Sequence, residues 1–484
     1  MLLKRLRQLA GDSVIYGLSS IIARFVSIWL TPIYTRLLTQ EDYGTMSLVN
    51  VTLALIQSVA TLALDQAAMR WFVDATDEDG RRRPFATWAW THFATATVAA
   101  AVLTFRSEWV SQLVSGSTTL APWLRLVALT LPLSVASSVG MTWLRMQRRA
   151  WATVGFVTGT TLFQIALTFL LVAGLHRGLF GLYLAQVVGG AIGLVVALRM
   201  AGAAMLPRYF DRQLLRDMVR YSAPLVPAAI AVWVVGSVDR FFVQRYVSTA
   251  EVGVFSIGVS IASFMTLAVW AFQQAWSPFA LSIHQEPDAR QTYATAFLAY
   301  CVGGALAVAG LSLFAPLAIR IFATPAYDRA SEVVGTMAMS YVLMGLGSVV
   351  TIGYTIARAS RPTAMAVAAA AAVTIALNVA LVPRFGMIGS AVATLVGQGT
   401  QPLILLAGAR RVYHIDYPVA RGAAVLSWAM VLVVMGETML PSSLSLTGVA
   451  ARSMALLTVP VFALAVGVVR PAQLRALRTA FAAR

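Results

Sequence analysis

Long apolar segments recur along the chain, and each is bounded by charged residues, proline or glycine. A helix that crosses a bilayer needs about 20 predominantly apolar residues, and this pattern predicts fourteen spans. The predicted fold class is therefore an all-α membrane protein with about 14 transmembrane helices. The predicted spans cover residues 14–34, 45–66, 84–105, 120–142, 152–174, 179–199, 222–244, 251–276, 293–314, 333–357, 363–382, 386–409, 419–439 and 449–469.

The composition also indicates a bilayer as the solvent of this chain. Of its 484 residues, 59% are hydrophobic and 11% are charged, whereas soluble domains carry about 25% charged residues. The connections between the predicted spans are too short for a folded soluble domain. The single cysteine, Cys301, lies in an apolar segment and is expected to be a packing residue.

The positive charge is distributed unevenly between alternate connections. The chain has 36 Lys and Arg residues against 19 Asp and Glu, a net charge of +17. With the N-terminus in the cytoplasm, 25 of the 36 cations fall in predicted cytoplasmic segments and seven in outer segments. The positive-inside rule therefore predicts a multi-pass protein with cytoplasmic N- and C-termini. Because these cations act as topology determinants, no nucleic-acid partner is expected.

Two sequence motifs occur twice at nearly the same offset. The pattern R-x7-G-x2-S begins at Arg36 and again at Arg245, which is 209 residues later. The pattern G-x2-G-x7-G begins at Gly178 and again at Gly386, which is 208 residues later. Since six predicted spans separate equivalent positions, the two halves share one orientation in the membrane. Parallel repeats of this kind are typical of transporters.

The repeat predicts the domain organisation. Residues 1–207 are predicted to form an N-terminal six-helix bundle, and residues 208–415 a C-terminal six-helix bundle, related by a pseudo-two-fold axis along the membrane normal. Residues 416–484 are predicted to add transmembrane helices 13 and 14 and a basic cytoplasmic tail. A repeated bundle without a transport path remains the alternative.

Polar residues at helical spacing mark one face of three predicted spans. A polar group in hydrocarbon is costly unless it faces the bundle interior or a cavity, so these faces are expected to line one substrate-binding cavity. Close helix packing is the alternative for the small side chains. The candidate residues are Ser20, Arg24, Ser27 and Thr31 in span 1, Asn50 and Gln57 in span 2, and Trp270 and Gln274 in span 8.

Charged residues within spans are candidates for specific roles. Arg24 lies near mid-span with no acid within four residues, so it is expected to face a ligand or a gate, or else to pair with a carboxylate of another helix. Asp65, Asp239 and Arg240 lie toward span ends and are candidates for coupling or gating, with snorkelling or structural pairing as the alternative. His92 is expected to be a hydrogen-bonded packing residue.

The sequence lacks the motifs of several other classes of membrane protein. It has no G-x4-GK[ST] phosphate loop, so ATP hydrolysis through such a loop is not expected. Its four histidines are far apart, and neither a metal site nor a cofactor is predicted. No pair of inward-facing acids stands out, which argues against a membrane enzyme.

Several short segments, distributed over most of spans 1–12, carry a family resemblance. These segments are Thr31–Leu38 with Tyr43 and Gly44, Ser222–Pro224 through Asp239 and Arg240, Val252–Ser256, and NVALVPRFGMIG from Asn378 to Gly389. With these segments in this order, the chain resembles the polysaccharide transporter family, the oligosaccharide flippases of the multidrug/oligosaccharidyl-lipid/polysaccharide (MOP) superfamily.

The resemblance implies a flippase that works by alternating access. It would move undecaprenyl-diphosphate-linked oligosaccharide repeat units from the cytoplasmic to the periplasmic leaflet of a bacterial inner membrane, for O-antigen or exopolysaccharide biosynthesis. The implied partners are this lipid-linked oligosaccharide, membrane lipids and the polysaccharide polymerase machinery, and the protein is expected to be a monomer. Proton or sodium coupling is left open. Arg24 is expected to bind the diphosphate, because a planar guanidinium matches phosphate oxygens.

Other functions stay open beside this one. A cation-coupled exporter of small amphipathic molecules, similar to the MATE transporters, would have a cavity lined by acids and aromatic residues, whereas the deepest charge here is Arg24. A lipid II flippase is a variant of the first function. A membrane enzyme or an assembly partner without transport would need a reactive constellation that the sequence does not display.

Overall fold

The structure is a computed structural model that describes residues 30–75, 77–147, 149–439 and 445–468. All regular secondary structure in these ranges is helical. The chain divides into two compact units. Unit 1 comprises the described residues up to Trp233 together with Ser248–Gly253, and unit 2 comprises Val234–Val247 and the described residues from Val254 onward. The domain boundaries after residues 207 and 415 remain a prediction.

The helices of unit 1 include short segments as well as long apolar ones. The helices of unit 1 are α1 (Thr31–Leu37), α2 (Gln40–Ala60), α3 (Leu64–Asp74), α4 (Glu78–Phe105), α5 (Ser107–Ser115), α6 (Ala121–Ala128), α7 (Thr130–Met146), α8 (Ala150–Thr168), α9 (Gly178–Ala201) and α10 (Arg212–Ser222). Two further helices, α11 (Val226–Ser237) and α13 (Thr249–Ala262), belong partly to each unit.

The helices of unit 2 surround α17, whose residues are buried along most of its length. Helix α17 packs against α14, α15 and α18, and the last two helices, α19 and α20, pack against α15. The helices of unit 2 are α12 (Asp239–Tyr246), α14 (Phe264–Ser282), α15 (Ala289–Leu313), α16 (Ala315–Phe322), α17 (Ser331–Ile356), α18 (Ser360–Val412), α19 (Val419–Thr438) and α20 (Leu446–Ala465).

Eleven helical segments of the described ranges are long and apolar enough to cross a membrane. They coincide with predicted spans 2 and 4 to 14, because the segment Ser360–Val412 covers both span 11 and span 12. Predicted span 3 coincides with α4, a helix of 28 residues with a charged N-terminal turn. Predicted span 1 lies largely outside the described residues, so the count of fourteen remains a prediction.

Predicted span 2 is not one continuous helix. Helix α2 ends at Ala60 and α3 begins at Leu64. Between them, Leu62 and Ala63 have φ values of +49° and +51°. A Cβ atom makes this left-handed conformation unfavourable by about 1–2 kcal/mol per residue, which an apolar pattern in the sequence does not reveal. The continuous span predicted over 45–66 is therefore corrected to two helices with a break.

The two glycines that open the G-x2-G-x7-G motifs both have a positive φ. Gly178 has a φ of +52° and Gly386 a φ of +55°. Gly386 interrupts α18 with a φ of +55° and a ψ of −135°, so this 53-residue helix is two helices that meet at a kink. The sequence predicts these two as spans 363–382 and 386–409, and glycine at this position is required because other residues rarely adopt such a conformation.

The two R-x7-G-x2-S motifs meet within unit 1. A Cβ atom at Gly44 would overlap the Thr249 carbonyl oxygen, and a Cβ atom at Gly253 would overlap the Gln40 carbonyl oxygen. Thr249 follows Gln40 by the same 209 residues that separate the two glycines, so the contact is reciprocal. The N-terminal turns of α2 and α13 therefore cross with local two-fold symmetry, at a separation that only glycine allows.

Candidate functional site

A buried ion pair lies at the N-terminus of α12. The Asp239 side chain is 1% exposed, and its Oδ1 atom accepts hydrogen bonds from the Arg240 backbone N–H at 2.9 Å and from Arg240 Nη1 at 2.8 Å. The Arg240 guanidinium lies 5.9 Å from the centre of the Phe255 ring. The attraction between two buried charges offsets their cost of desolvation only when hydrogen bonds and close contacts accompany it. Such contacts are present here.

Beside this pair, α18 contributes a buried polar network. Ser390 Oγ donates a hydrogen bond to Asn378 Oδ1 at 2.6 Å, and Asn378 Nδ2 donates to the Thr374 carbonyl oxygen at 2.8 Å. The Ser390 hydroxyl also lies 3.5 Å from the Asp239 carbonyl oxygen. Asn378 precedes the break at Gly386 and Ser390 follows it. The network therefore connects both halves of α18 with the start of α12.

The second carboxylate oxygen of Asp239 has no partner in the described part of the chain. Its Oδ2 atom is buried, and no described residue donates a hydrogen bond to it. A buried acceptor without a donor costs about 1–3 kcal/mol, and more when it is charged. A proton or a small cation at Oδ2 would remove that cost, and oxygen atoms are the ligands that hard cations prefer. The arrangement is suited to bind either of them.

Three of the predicted substrate-binding residues lie outside the described residues, namely Ser20, Arg24 and Ser27. Of the others in the first half, Asn50 on α2 is exposed, Thr31 at the start of α1 is buried, and Gln57 is half-buried with its Nε2 atom 3.5 Å from Ser134 Oγ. The role of these residues in binding a substrate remains a prediction.

Asp65 lies beside two aromatic residues of α4. Its Oδ1 atom accepts a hydrogen bond from Trp88 Nε1 at 2.9 Å and lies 3.9 Å from His92 Nδ1. The Trp88 and His92 rings meet edge-on with centres 5.5 Å apart. His92 is buried, as expected for a packing residue, but its Nδ1 atom has no hydrogen-bond partner among the described residues, so the hydrogen bond expected of it is absent at that atom. The Asp65 side chain is 59% exposed. The break in span 2 places Asp65 at the start of α3, next to this pair.

The second half supplies two predicted residues and an apolar cavity. Trp270 is half-buried and Gln274 is exposed, both on α14.

The apolar cavity of unit 2 has a volume of about 710 Å³ and lies between α15, α17, α18 and α19. Its wall is almost entirely apolar, and its lining includes Phe297, Met339, Leu343, Leu403 and Met430.

Sequence reasoning missed two members of the buried network. Asn378 enters the sequence analysis only as part of a resemblance, and Ser390 does not enter it. An amide side chain in the middle of an apolar span is the signal that points to Asn378. Ser390 carries no such signal, because serine is also a common residue of close helix packing.

The comparisons with known proteins agree with the transporter fold. Residues 33–331 match the profile of a family described as polysaccharide biosynthesis protein. No curated protein sequence matches the chain. The solved structures that are similar share less than a fifth of their residues with this chain, so their likeness shows the fold alone.

Two of these structures cover nearly the whole chain. The lipid II flippase MurJ in an inward closed conformation has a TM-score of 0.71 at 14% identity and covers 93% of this chain and 98% of its own. An inward-facing multidrug resistance MATE family transporter of the MOP superfamily has a TM-score of 0.66 at 13% identity and covers 87% and 96%. The chain thus shares the fold of these two proteins and, matched over more than half its length, belongs to the polysaccharide biosynthesis protein family.

Proposed function

We propose that the protein is a flippase that moves an undecaprenyl-diphosphate-linked oligosaccharide from the cytoplasmic to the periplasmic leaflet of a bacterial inner membrane. The observation that carries the proposal is the family match over residues 33–331, together with a fold shared with a lipid II flippase. A sugar diphosphate cannot cross hydrocarbon unaided, because its polar groups would lose their hydration. The protein must therefore offer a polar path to the head group.

In this proposal, different residues bind the diphosphate, the sugars and the lipid chain of the substrate. Arg24 binds the diphosphate, Asn50 and Gln274 bind sugar hydroxyls, and Trp270 packs against a sugar ring. Ser20, Ser27, Thr31 and Gln57 complete the polar face. The apolar cavity between α15, α17, α18 and α19 supports a lipid-linked substrate, since it suits part of a polyprenyl chain.

Alternating access requires a contact that opens and closes. The crossing of α2 and α13 at Gly44 and Gly253 lies next to the segments that carry Arg36 and Arg245, which are predicted to be outside the membrane. We assign to this crossing the role of an outer closure, which must separate before a head group can leave toward the periplasm. Its backbone contacts give a tight seal without bulky side chains.

Asp239 is the proposed coupling residue, with Arg240 as its partner. Its unpartnered Oδ2 atom takes up a proton or a sodium ion. The change in charge alters the attraction to Arg240 and, through the neighbouring Ser390 and Asn378, the packing of both halves of α18. Asp65 is the second candidate for gating, because it lies at the break between α2 and α3.

The substrate proposal is tested with purified protein in liposomes. A lipid-diphosphate-linked oligosaccharide is placed in one leaflet, and the accessibility of its sugar is followed over time. Arg24→Ala is expected to slow flipping roughly ten- to a hundredfold, since charge-assisted hydrogen bonds contribute about 1.5–3 kcal/mol. Arg36→Ala, at the exposed end of α1, is the matched control. Equal rates for the Arg24 variant and the wild type would reject the role of Arg24.

The same assay separates the competing substrates. Lipid II and a fluorescent cationic dye are offered in parallel vesicles. Movement of the lipid-linked oligosaccharide but not of the dye is expected. Extrusion of the dye without flipping of either lipid would favour a MATE-like exporter, and preference for lipid II would favour the lipid II variant.

The coupling role is tested by gradients across the same vesicles. Wild-type flipping is expected to respond to a proton or a sodium gradient, and Asp239→Asn to lose that response. Asp288→Asn is the matched control, because Asp288 is exposed in the connection before α15. A variant at Asp239 that keeps the full response would place the coupling elsewhere.

A further inference from the structure

Two arginines converge on one tyrosine between α9 and α10. Arg82 Nη1 and Arg208 Nη2 each donate a hydrogen bond of 3.0 Å to the Tyr209 hydroxyl oxygen. Both guanidinium groups also lie against the Tyr209 ring, at 5.6 Å and 4.9 Å from its centre. All three side chains belong to unit 1. Two like charges are thus held close together by a shared neutral partner.

The Tyr209 hydroxyl of this cluster has a proton that no described residue accepts. A phenol oxygen has two lone pairs and one proton, and the two arginines use both lone pairs. The Tyr209 proton must therefore point to another acceptor, and the described residues place none within hydrogen-bond distance. Guanidinium N–H groups and a phenol proton together match the oxygens of a phosphate.

The carboxylates of the cluster lie beside Arg82. Arg82 contacts Glu78, which lies one turn earlier on α4, and its Nη1 atom lies 3.8 Å from Asp79 Oδ1. The hydrogen bond to Tyr209, and with it the contact with Glu78, raises the pKa of Arg82 above its ordinary value. In the described ranges, no carboxylate forms an ion pair with Arg208. An anion beside Arg208 would supply that partner.

Helix α10 extends the positive surface. Arg212, Arg216 and Arg220 follow Arg208 at intervals of four residues, and all four are exposed. Residues four apart lie on one face of a helix, so α10 presents a row of cations. Its opposite face carries Met218, which is fully buried in the core of unit 1. The row is therefore held in a fixed position by apolar packing.

The location of this surface is at a membrane boundary. The segment lies between the apolar helices α9 and α11 and is predicted to be cytoplasmic. Leu206, Phe210 and Tyr221, on the same segment, are 40%, 40% and 39% exposed. Exposed apolar side chains interspersed with cations are typical of segments that rest in the headgroup region of a bilayer.

We propose that Arg82, Arg208 and Tyr209, with the arginine row of α10, form a binding site for the phosphate groups of anionic phospholipids in the cytoplasmic leaflet. Charge complementarity favours this ligand, because the inner leaflet is anionic and each Arg near it adds to the attraction. None of the proposed transport residues belongs to this site. It anchors unit 1 to the inner leaflet, and its failure would leave the proposed transport function intact.

The experiment measures lipid binding to the purified full-length protein by native mass spectrometry in a neutral detergent. The probe is phosphatidylglycerol, and phosphatidylcholine, which has no net charge, is the reference lipid. The triple variant Arg208→Gln, Arg212→Gln, Arg216→Gln is expected to bind phosphatidylglycerol about 100-fold more weakly, given the attraction of each cation to an anionic surface. Tyr209→Phe, which removes the shared hydroxyl, is expected to weaken binding about fivefold.

A matched triple variant controls for net charge. Arg177, Arg245 and Arg384 are exposed arginines in segments predicted to be outside, and their replacement by Gln removes the same charge. This variant is expected to bind phosphatidylglycerol like the wild type. The triple Lys variant of positions 208, 212 and 216 is expected to retain most of the binding, which shows that the Gln variant did not lose it by misfolding.

Three outcomes would overturn the proposal. Equal losses in the two Gln variants would show a general effect of charge and no site. Displacement of phosphatidylglycerol by millimolar inorganic phosphate would show a site for free anions. Displacement by equimolar undecaprenyl diphosphate, with slower flipping in the Gln variant at positions 208, 212 and 216, would show a loading site for the transported lipid.

Discussion

At the scale of single residues, Asn378 connects the two halves of α18 within the site. It accepts a hydrogen bond from Ser390 and donates one to the Thr374 carbonyl oxygen, and it is fully buried. An amide suits this network because it accepts through its oxygen and donates through its nitrogen at the same time. Replacement by an apolar residue leaves Ser390 without its acceptor.

We therefore expect Asn378→Ala to lower the free energy of unfolding by about 2 kcal/mol, since a buried group is left unsatisfied. The measurement is chemical denaturation in detergent micelles. Asn50→Ala is the comparison, because Asn50 is an exposed asparagine within a helix, and its effect should stay within about 0.5 kcal/mol. Similar effects for the two variants would show that the buried network contributes nothing.

The residues of the ion pair could be predicted from sequence, whereas their partners could not. Asp239 and Arg240 are charges within an apolar segment, and the cost of a charge in hydrocarbon makes such residues visible in the sequence itself. Ser390 joins them only because α18 turns at Gly386 and returns beside α12. A contact between residues 151 positions apart depends on packing that no local pattern encodes.

At the scale of helices, the break between α2 and α3 contains two residues with a strained backbone. Leu62 and Ala63 both have positive φ values without being glycine. Ala63→Gly is expected to raise the free energy of unfolding by about 1 kcal/mol, because glycine removes the strain of the Cβ atom. Ala54→Gly, within α2, should lower it by about 1 kcal/mol, because glycine weakens a regular helix. The prediction fails if both substitutions change stability in the same direction.

At the kink of α18, in contrast, the residue with a positive φ is already a glycine. Gly386→Ala is expected to destabilise the protein by roughly 1–3 kcal/mol, since its φ and ψ belong to a region that is essentially reserved for glycine. Gly236→Ala, in α11, meets no atom within 4 Å of the added Cβ and should be neutral or slightly stabilising. Thermal unfolding of the two variants in the same detergent gives the comparison, and a neutral Gly386→Ala would mean that α18 can straighten or shift its kink.

The two irregularities differ in how far sequence could predict them. Gly386 opens a motif that also occurs 208 residues earlier at Gly178, and both glycines have a positive φ, so the repeat marks the position. Leu62 and Ala63 lie in an apolar run that looks like any other span. The apolar character of this run reflects the bilayer around it and does not predict the φ values of individual residues.

At the scale of the whole molecule, topology follows from the distribution of charge. We expect single cysteines at Thr118 and Ser248 to react with a membrane-impermeant thiol reagent added outside, and cysteines at Gln213 and Gln285 to stay unlabelled until the membrane is opened. All four positions are exposed. Cys301 is buried and is replaced by Ala in the parent protein. The reverse labelling pattern would invert the orientation predicted from the positive-inside rule.

Most of the helical architecture could be predicted because a lipid-embedded chain must satisfy its backbone hydrogen bonds within helices. Predicted spans 2 and 4 to 14 coincide with long apolar helical segments. The substrate path could not be derived in the same way, since sugar recognition uses scattered polar groups with no linear order. Arg24 lies outside the described residues, and its role rests on the sequence.

The reciprocal contact of Gly44 and Gly253 also constrains how the gene can change. An added methyl group at either position would meet only backbone atoms of the other repeat. A second mutation cannot shrink a backbone, so no substitution at the opposing glycine can restore the lost space. Revertants of a defective Gly44→Ala allele should therefore arise at other sites, where a substitution shifts a whole helix.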